Sequence, residues 1–309
     1  MNSTRVQVWK AYVEQISKER PLVHHITNNV TMNFLANGVL AAGGSPIMVH
    51  DLMEVEDAVA VSDALVLNIG TLEEASAKSM KLALRKAMHT GVPVVLDPVG
   101  VGLSSFRQET IKELLSEYSQ LKGVSPQTIL TICGNAAEMK FLAGLGWEGR
   151  GADGDLGFSE GDLHQLAIAA AKQTGCIIAM TGEKDVVSDG ERVIELSHGH
   201  PMLSLVTGTG CFATSMIALY QANQKDETED KLSILERTAL ALLMLTKAAE
   251  EAVKTSIGPG SFQTKLLDDL FLLESTKSIW EDEINWLEST AAIKEVHTHD
   301  STLTSEPGS

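Results

Sequence analysis

The sequence predicts an α/β domain with a central, mostly parallel sheet covered by helices on both faces. Short, uniformly apolar runs alternate along the chain with longer amphipathic stretches. The apolar runs lack the in–out alternation of a sheet with one wet face, which marks strands buried on both sides. A chain of 309 residues, 44% of them hydrophobic, holds one large core and is marginal for two. Residues 1–293 read as one domain. Residues 294–309, "KEVHTHDSTLTSEPGS", have almost no apolar content and read as a disordered tail.

Taken in order, the first helical stretch covers about 29–42 and closes at Gly43-Gly44. "ALVLNIG" (64–70) is the first apolar strand, followed by a helix over 73–90. "PVVLDP" (93–98) and "QTILTIC" (127–133) are strands of the same kind, each followed by a helix, at 107–119 and 136–145. "GLGWEGRGADGDLG" (144–157) is a glycine-rich surface loop before a helix over 160–174 and a strand at "GCIIAMT" (175–181). "VVSDGERVIEL" (186–196) places two β-rich pieces around Ser-Asp-Gly, a hairpin added to the sheet edge. An apolar, strand-like segment then leads through Thr207-Gly-Thr-Gly210 into a helix, and the chain continues mostly helical to about Trp286.

The charge pattern excludes several functions. With 24 basic and 41 acidic residues the formal net charge is −17, which argues against nucleic acid or an anionic membrane as partner. An anionic substrate must then be held locally, by a divalent ion or by backbone N–H groups at helix starts. The N-terminus lacks an apolar signal core, and "TALALLMLTKAA" (238–249) is too short to span a bilayer. Three scattered cysteines, Cys133, Cys176 and Cys211, read as free thiols in a reducing compartment, so the expected location is the cytoplasm. His198 and His200 lie in a turn with no cysteine pair nearby, and His297 and His299 lie in the tail; neither pair reads as a metal site.

In an open parallel sheet, ligands bind beyond the carboxyl ends of the strands. The predicted strand ends carry "DPVGVG" (97–102), "CGNAAEM" (133–139), "TGEKD" (181–185) and "TGTGC" (207–211). Four such ends at one rim describe a site suited to phosphoryl transfer. The glycine turn at the start of a helix offers a row of N–H groups to phosphate. Asp97 and Glu138 offer oxygens to Mg²⁺, which takes few protein ligands and keeps its waters. Both carboxylates also have local duties, Asp97 before Pro98 in a turn and Glu138 in a capping-box spacing from Asn135. "TNNVTMNFLANG" (27–38) mixes amides with apolar side chains, as a small, nearly neutral ligand requires. Met32, Phe34 and Leu35 read as core, and Met48, after the Gly43-Gly44 turn, as the better ligand contact.

With these segments in hand, the chain resembles the hydroxyethylthiazole kinases, enzymes of the ribokinase-like superfamily. The resemblance rests on "HHITNNVTMNFLANGVLAAGGSPIM" (24–48), "LVLNIGTL" (65–72), "LDPVGVG" (96–102), "GNAAEM" (134–139), "MTGEKDVV" (180–187), "VTGTGC" (206–211) and "GPGSFQTKLLD" (258–268). It implies ATP- and Mg²⁺-dependent phosphorylation of the hydroxyl of 4-methyl-5-(2-hydroxyethyl)thiazole, by a homotrimer with active sites between subunits. Position by position, it implies thiazole contacts at Met48 and Gly208 with Asn28 and Gly70 beside them, and a nucleotide contact at Thr181; Cys133, Asn135 and Gly210 are expected on the nucleotide side with it. The acidic pair near Mg²⁺ is Asp97 and Glu138, and Cys211 stands beside the acceptor hydroxyl as the catalytic residue.

Where the family carries a basic residue before "GNAAE", this chain has Cys133; either Lys184 substitutes for it or nucleotide affinity falls. The helix start predicts a Cys211 pKa drawn below the ordinary thiol value. The competing expectations are another ribokinase-like enzyme, a hydroxymethylpyrimidine kinase or a nicotinamide nucleotide hydrate dehydratase, or a catalytically weak thiamine-precursor binding protein.

Overall fold

The computed structural model describes residues 3–122, 128–145, 160–222 and 232–272. In chain order these form α1 (Ser3–Glu19), β1 (Leu22–Ile26), α2 (Met32–Ala41), β2 (Ser45–Ile47), α3 (Val55–Val61), β3 (Ala64–Asn68), α4 (Glu74–Thr90) and β4 (Val94–Asp97). Then come α5 (Ser105–Lys122), β5 (Leu130–Asn135), α6 (Ala136–Leu142), α7 (Glu160–Thr174), β6 (Ile177–Thr181), β7 (Asp185–Ser188), β8 (Val193–Leu196), α8 (Thr209–Gln221), α9 (Ile234–Thr255) and α10 (Pro259–Leu272). The strands make one sheet in the order β2-β1-β3-β4-β5-β6-β7-β8. All pairings from β2 to β6 are parallel; β7 and β8 form the antiparallel edge hairpin expected around Ser188-Asp-Gly190.

The apolar strands feed two cores at once, because successive side chains point to opposite faces. In β3, Ala64 and Val66 join one cluster with Trp9, Phe34, Phe212 and Phe262, while Leu65 and Leu67 join another with Met80, Leu84, Ile111 and Met139. The first cluster is roofed by α1, α2, α8, α9 and α10, the second by α3 to α7. α9 is held at its start by a reciprocal capping box of Ser233 and Glu236 and buries most of its length between α8 and α10.

Several expectations need correction. The segment before the glycine turn is a 3₁₀ helix, Pro201–Leu205, rather than a strand. Pro201 sits in its first turn, where no N–H is needed, and the ring of His200 accepts from the Met202 N–H at 3.1 Å, so the local hydrogen bonds favour a tight helical turn. Sequence patterning did not find α1, β1, α3 or β2. "LVHHI" hides its strand character because two fully buried histidines interrupt the apolar run, and β2 is a three-residue edge strand containing proline. Met48 therefore follows a strand, at the same rim as the other site residues, and not a turn. Most of the 144–157 loop, the helical reading from Leu273 to Trp286 and the 294–309 tail lie outside the described residues.

Candidate active site

Six parallel strands carry their carboxyl ends to one rim. Asn28 follows β1, Met48 follows β2, Gly70 follows β3, Asp97 ends β4, Asn135 ends β5 and Thr181 ends β6. α8 starts over this rim, and its Thr214 hydroxyl donates to Asp97 Oδ2 at 3.0 Å. The glycine turn and the two carboxylates are thus on one edge of the sheet.

A side-chain chain of hydrogen bonds ties the first three strand ends together. Asn68 donates through Nδ2 to Asp97 Oδ2, while its Oδ1 accepts from Asn28 Nδ2 at 3.0 Å and from the Gly70 N–H at 2.9 Å. Asn28 Nδ2 also reaches Cys211 Sγ at 3.5 Å, and Asn28 Oδ1 accepts from both the N–H and the hydroxyl of Thr31. Asp97, Asn68 and Asn28 are buried, so these bonds act in a low dielectric where an unpaired amide would be costly.

Glu138 organises the second half. It is buried at the third position of α6; Oε2 accepts from the Asn135 N–H and Oε1 from the Gly100 N–H, each at 2.8 Å, while Asn135 Oδ1 accepts from the Glu138 N–H. The capping box expected from the spacing is present and also binds the loop after β4. Gly134 is glycine because a Cβ there would lie 2.5 Å from Glu138 Oε2. Arg107, in the first turn of α5, donates to the carbonyls of Ile69 (2.7 Å), Val99 and Gly70.

Burial sets the ionisation of the site. It raises Asp97 to about 7 against the opposing pull of hydrogen bonds from Thr214, Asn68 and Cys211. Burial, and then the neighbouring Asp97 charge, push the Cys211 thiol up to about 12. The lowered thiol pKa expected at the helix start is therefore corrected: desolvation beside a carboxylate outweighs the helix dipole. Asp185, buried at the start of β7 with Gly182 N–H donating to it at 3.1 Å, is also raised to about 7 by burial.

Most of the residues singled out by sequence converge here. Gly208 caps α8 in a left-handed conformation (φ 94°), and a Cβ on it would meet Thr31 Cγ2 at 2.6 Å. A Cβ on Gly210 would meet nothing within 4 Å. The Thr181 hydroxyl lies 3.5 Å from the Gly134 carbonyl. Cys133 is a correction. It is 1% exposed, faces the α8 side of the sheet and bonds to Thr214, so its thiol is core and presents nothing to a nucleotide. Lys184 is engaged by Glu195 at 2.9 Å, and Glu195 is also bound by His164. Phe34 and Leu35 are core, as expected, whereas Met32, in the first turn of α2, is half-buried and belongs to neither core cluster. Sequence reasoning missed Asn68, Thr214 and Arg107. The lone amide ending an otherwise apolar strand was a usable signal for Asn68; no comparable signal marked Arg107.

Among the described residues, the donors available to a metal are carboxylate oxygens from Asp97 and Glu138, with the neighbouring Cys211 thiol held protonated. That set fits Mg²⁺, whose remaining positions are filled by water and phosphate. Among the described residues no group of three acidic, histidine or cysteine side chains could hold an ion by itself.

The profile of the hydroxyethylthiazole kinase family matches residues 13–276. A hydroxyethylthiazole kinase of Alkaliphilus oremlandii is 40% identical over 259 residues, 83% of this chain and 89% of that protein. One from Rubrobacter xylanophilus is 39% identical over 266 residues, covering 86% and 92%. The solved hydroxyethylthiazole kinase of Pyrococcus horikoshii superposes with a TM-score of 0.72 at 35% identity, over 86% of this chain and 93% of that one. An ADP/ATP-dependent NAD(P)H-hydrate dehydratase of Bacillus subtilis, at 12% identity and a TM-score of 0.53 over 82% and 92% of the two chains, shares the fold alone.

Proposed function

The chain belongs to the hydroxyethylthiazole kinase family, and from that premise we propose that its rim transfers the γ-phosphoryl group of ATP to the hydroxyl of 4-methyl-5-(2-hydroxyethyl)thiazole. The observation that carries this reading is the order of groups along the rim. Met48, Asn28 and Gly70 lie at the ends of β2, β1 and β3, Asp97 and Cys211 stand in the middle, and Glu138, Asn135 and Thr181 lie beyond β5 and β6. An alcohol on one side and a nucleotide on the other would meet over Asp97.

Each group has a role in that arrangement. The thiazole offers one weak acceptor nitrogen, so it sits against Met48 and the backbone of Gly70 and Gly208, with Asn28 as the polar neighbour. The first-turn N–H groups of α8 have no intrahelical acceptor and face phosphate, and the open space at Gly210 admits its close approach. Thr181 and Asn135 contact the nucleotide. Asp97 and Glu138 would hold Mg²⁺, which would neutralise phosphate charge. Asp97 also takes the hydroxyl proton, and Cys211 orients Asp97 as a neutral donor rather than acting as a thiolate base.

Val30, Leu52 and Met53 are exposed apolar side chains close in sequence to Asn28 and Met48, 68%, 40% and 90% accessible. They support a homotrimer in which a neighbouring copy completes the thiazole side. Among the described residues no helix is long and apolar enough to cross a membrane, and free cysteines support a cytoplasmic enzyme.

The test is ADP release by the purified protein with the thiazole alcohol, a hydroxymethylpyrimidine or a nicotinamide nucleotide hydrate, with and without Mg²⁺. Sedimentation of the same sample tests the trimer. Turnover with the thiazole alcohol alone is the expected result. Turnover with another of the three, or binding without turnover, would replace the reading.

A further inference from the structure

Arg107 is unusually placed. It lies in the first turn of α5, where the helix dipole disfavours a cation, and the turn contains no acidic residue. Its guanidinium points away from the helix into the rim and is half-buried. There it donates to three main-chain carbonyls on two different loops: Ile69 and Gly70 after β3, and Val99 after β4. Charge-assisted bonds from a half-buried guanidinium are the strong kind, and no other side chain among the described residues bonds these three carbonyls.

The two loops belong to the two halves of the site. Gly70 N–H donates to Asn68, which holds both Asn28 and Asp97. A Cβ on Gly70 would come within 2.7 Å of Asn28 Cβ, so the bare backbone of this loop packs closely on Asn28. On the other side, Val99 precedes Gly100, whose N–H donates to Glu138. Glu138 acts electrostatically on Arg107, so cation and carboxylate brace the same loop. We propose that Arg107 is a positioning residue that locks the thiazole-side loop to the phosphate-side loop, keeping acceptor alcohol and nucleotide in register for in-line transfer.

The inference rests on the phosphoryl-transfer reading for its consequence but not for its geometry. Arginine suits the task and lysine does not. A planar fork with five N–H donors bridges carbonyls on separate loops, whereas an ammonium is a single point of charge. Phosphoryl transfer depends mostly on positioning, so a small slip between the loops is costly; misplacement by about 1 Å can cost about a hundredfold in rate.

The experiment compares full-length wild type with Arg107→Lys and Arg107→Ala by hydrogen exchange and by kinetics. Segments 68–71 and 99–102 should lose protection together in both variants while α9 keeps its own. The kcat should fall about a hundredfold, with a smaller change in either KM. Methylguanidinium should restore part of the Arg107→Ala rate, and methylammonium should not. Loosening of one segment without the other overturns the proposal, as does a general loss of protection that includes α9. Unchanged kcat in both variants does so too. If wild type fails to phosphorylate the thiazole alcohol while the two segments loosen together, the clamp stands and the functional reading falls.

Discussion

Replacing Cys211 by serine separates two assignments of the proton acceptor. If the thiolate were the base, its availability would follow from a pKa of about 12. Near pH 7 that leaves about 10⁻⁵ of the enzyme with an ionised thiol, each pKa unit being a factor of ten. General base catalysis contributes roughly 10²–10⁴-fold, so the scarcity of thiolate would cancel it. Asp97, raised to about 7, is about half ionised at the same pH and loses only a factor of about two. Serine keeps a donor that can face Asp97, whereas alanine removes it, and one such bond is worth about 1 kcal/mol, or about fivefold.

The assay is kcat/KM against pH for wild type, Cys211→Ser, Cys211→Ala and Asp97→Asn, at several Mg²⁺ concentrations because a bound ion lowers a carboxylate pKa. Serine should stay within about fivefold of wild type and alanine fall somewhat further. The rise in rate with pH should lie at or below about 7 in all three and vanish in Asp97→Asn. A rise at alkaline pH in wild type that disappears in Cys211→Ser, with loss of about 10³-fold or more, would refute the reasoning.

The remaining predictions probe the metal, the glycine turn and a buried acid. Glu138→Gln and Asp97→Asn should each lower kcat by about tenfold or more and raise the Mg²⁺ needed for half-maximal rate, because each removes one of two anionic donors; normal rates for both at low Mg²⁺ would remove the ion from these residues. Gly208→Ala should cost about 1–3 kcal/mol in denaturant unfolding, since φ is 94° and the new Cβ strikes Thr31, which holds Asn28. Its KM for the alcohol should rise. Gly210→Ala should leave stability unchanged and weaken ATP binding, and unaltered ATP affinity would show that phosphate does not approach there. Asp185→Asn should be relatively more stable at alkaline pH. The folded pKa of about 7 lies above the unfolded value, so the wild-type contribution is full below about pH 4, lost as pH rises to 7 and flat beyond. Between about pH 5.5 and 8.5 the variant should gain about 2 kcal/mol on wild type, and parallel stability curves would contradict the burial argument.

How far the sequence could be read depended on whether a residue's duty was visible in its neighbours along the chain. The β3–α4–β4–α5 alternation was legible because both-face burial makes "ALVLN" and "VVL" uniformly apolar, and α7 was bounded as 160–174, as observed. β1 was not, because His24 and His25 are polar by composition. Yet burial lowers both of their pKa values, so they serve as neutral core groups, bonded to the Val49 carbonyl and Ser215 respectively. Asp97, Glu138 and the glycine turn were legible as strand-end and helix-start chemistry. Arg107 was not, since its three acceptors are main-chain carbonyls 8 to 38 residues away and carbonyls have no sequence signature.

The charge problem posed by an acidic kinase is resolved locally, and the geometry of Cys133 shows how. A base at that position would enter the space beside Asp97 and Thr214, under the rim. Cysteine there leaves Asp97 with neutral partners only, Asn68, Thr214 and Cys211, so its carboxyl stays near 7 instead of being pulled down by a cation. Lys184, in the β6–β7 turn, is paired with Glu195 at 2.9 Å, which offsets its charge locally. Among the described residues, the positive elements at the rim include the first-turn amides of α8 and the Arg107 guanidinium, which is spent on carbonyls. On the proposed reading, phosphate binding would lean on main-chain N–H groups and a divalent ion more than on side-chain cations. Cys133→Arg, buried beside Asp97, should shift the rising limb of the pH profile to lower pH by pairing with that carboxyl, and the core position should leave the KM for ATP unchanged. An unmoved pH profile would show that a charge at this position does not act on Asp97.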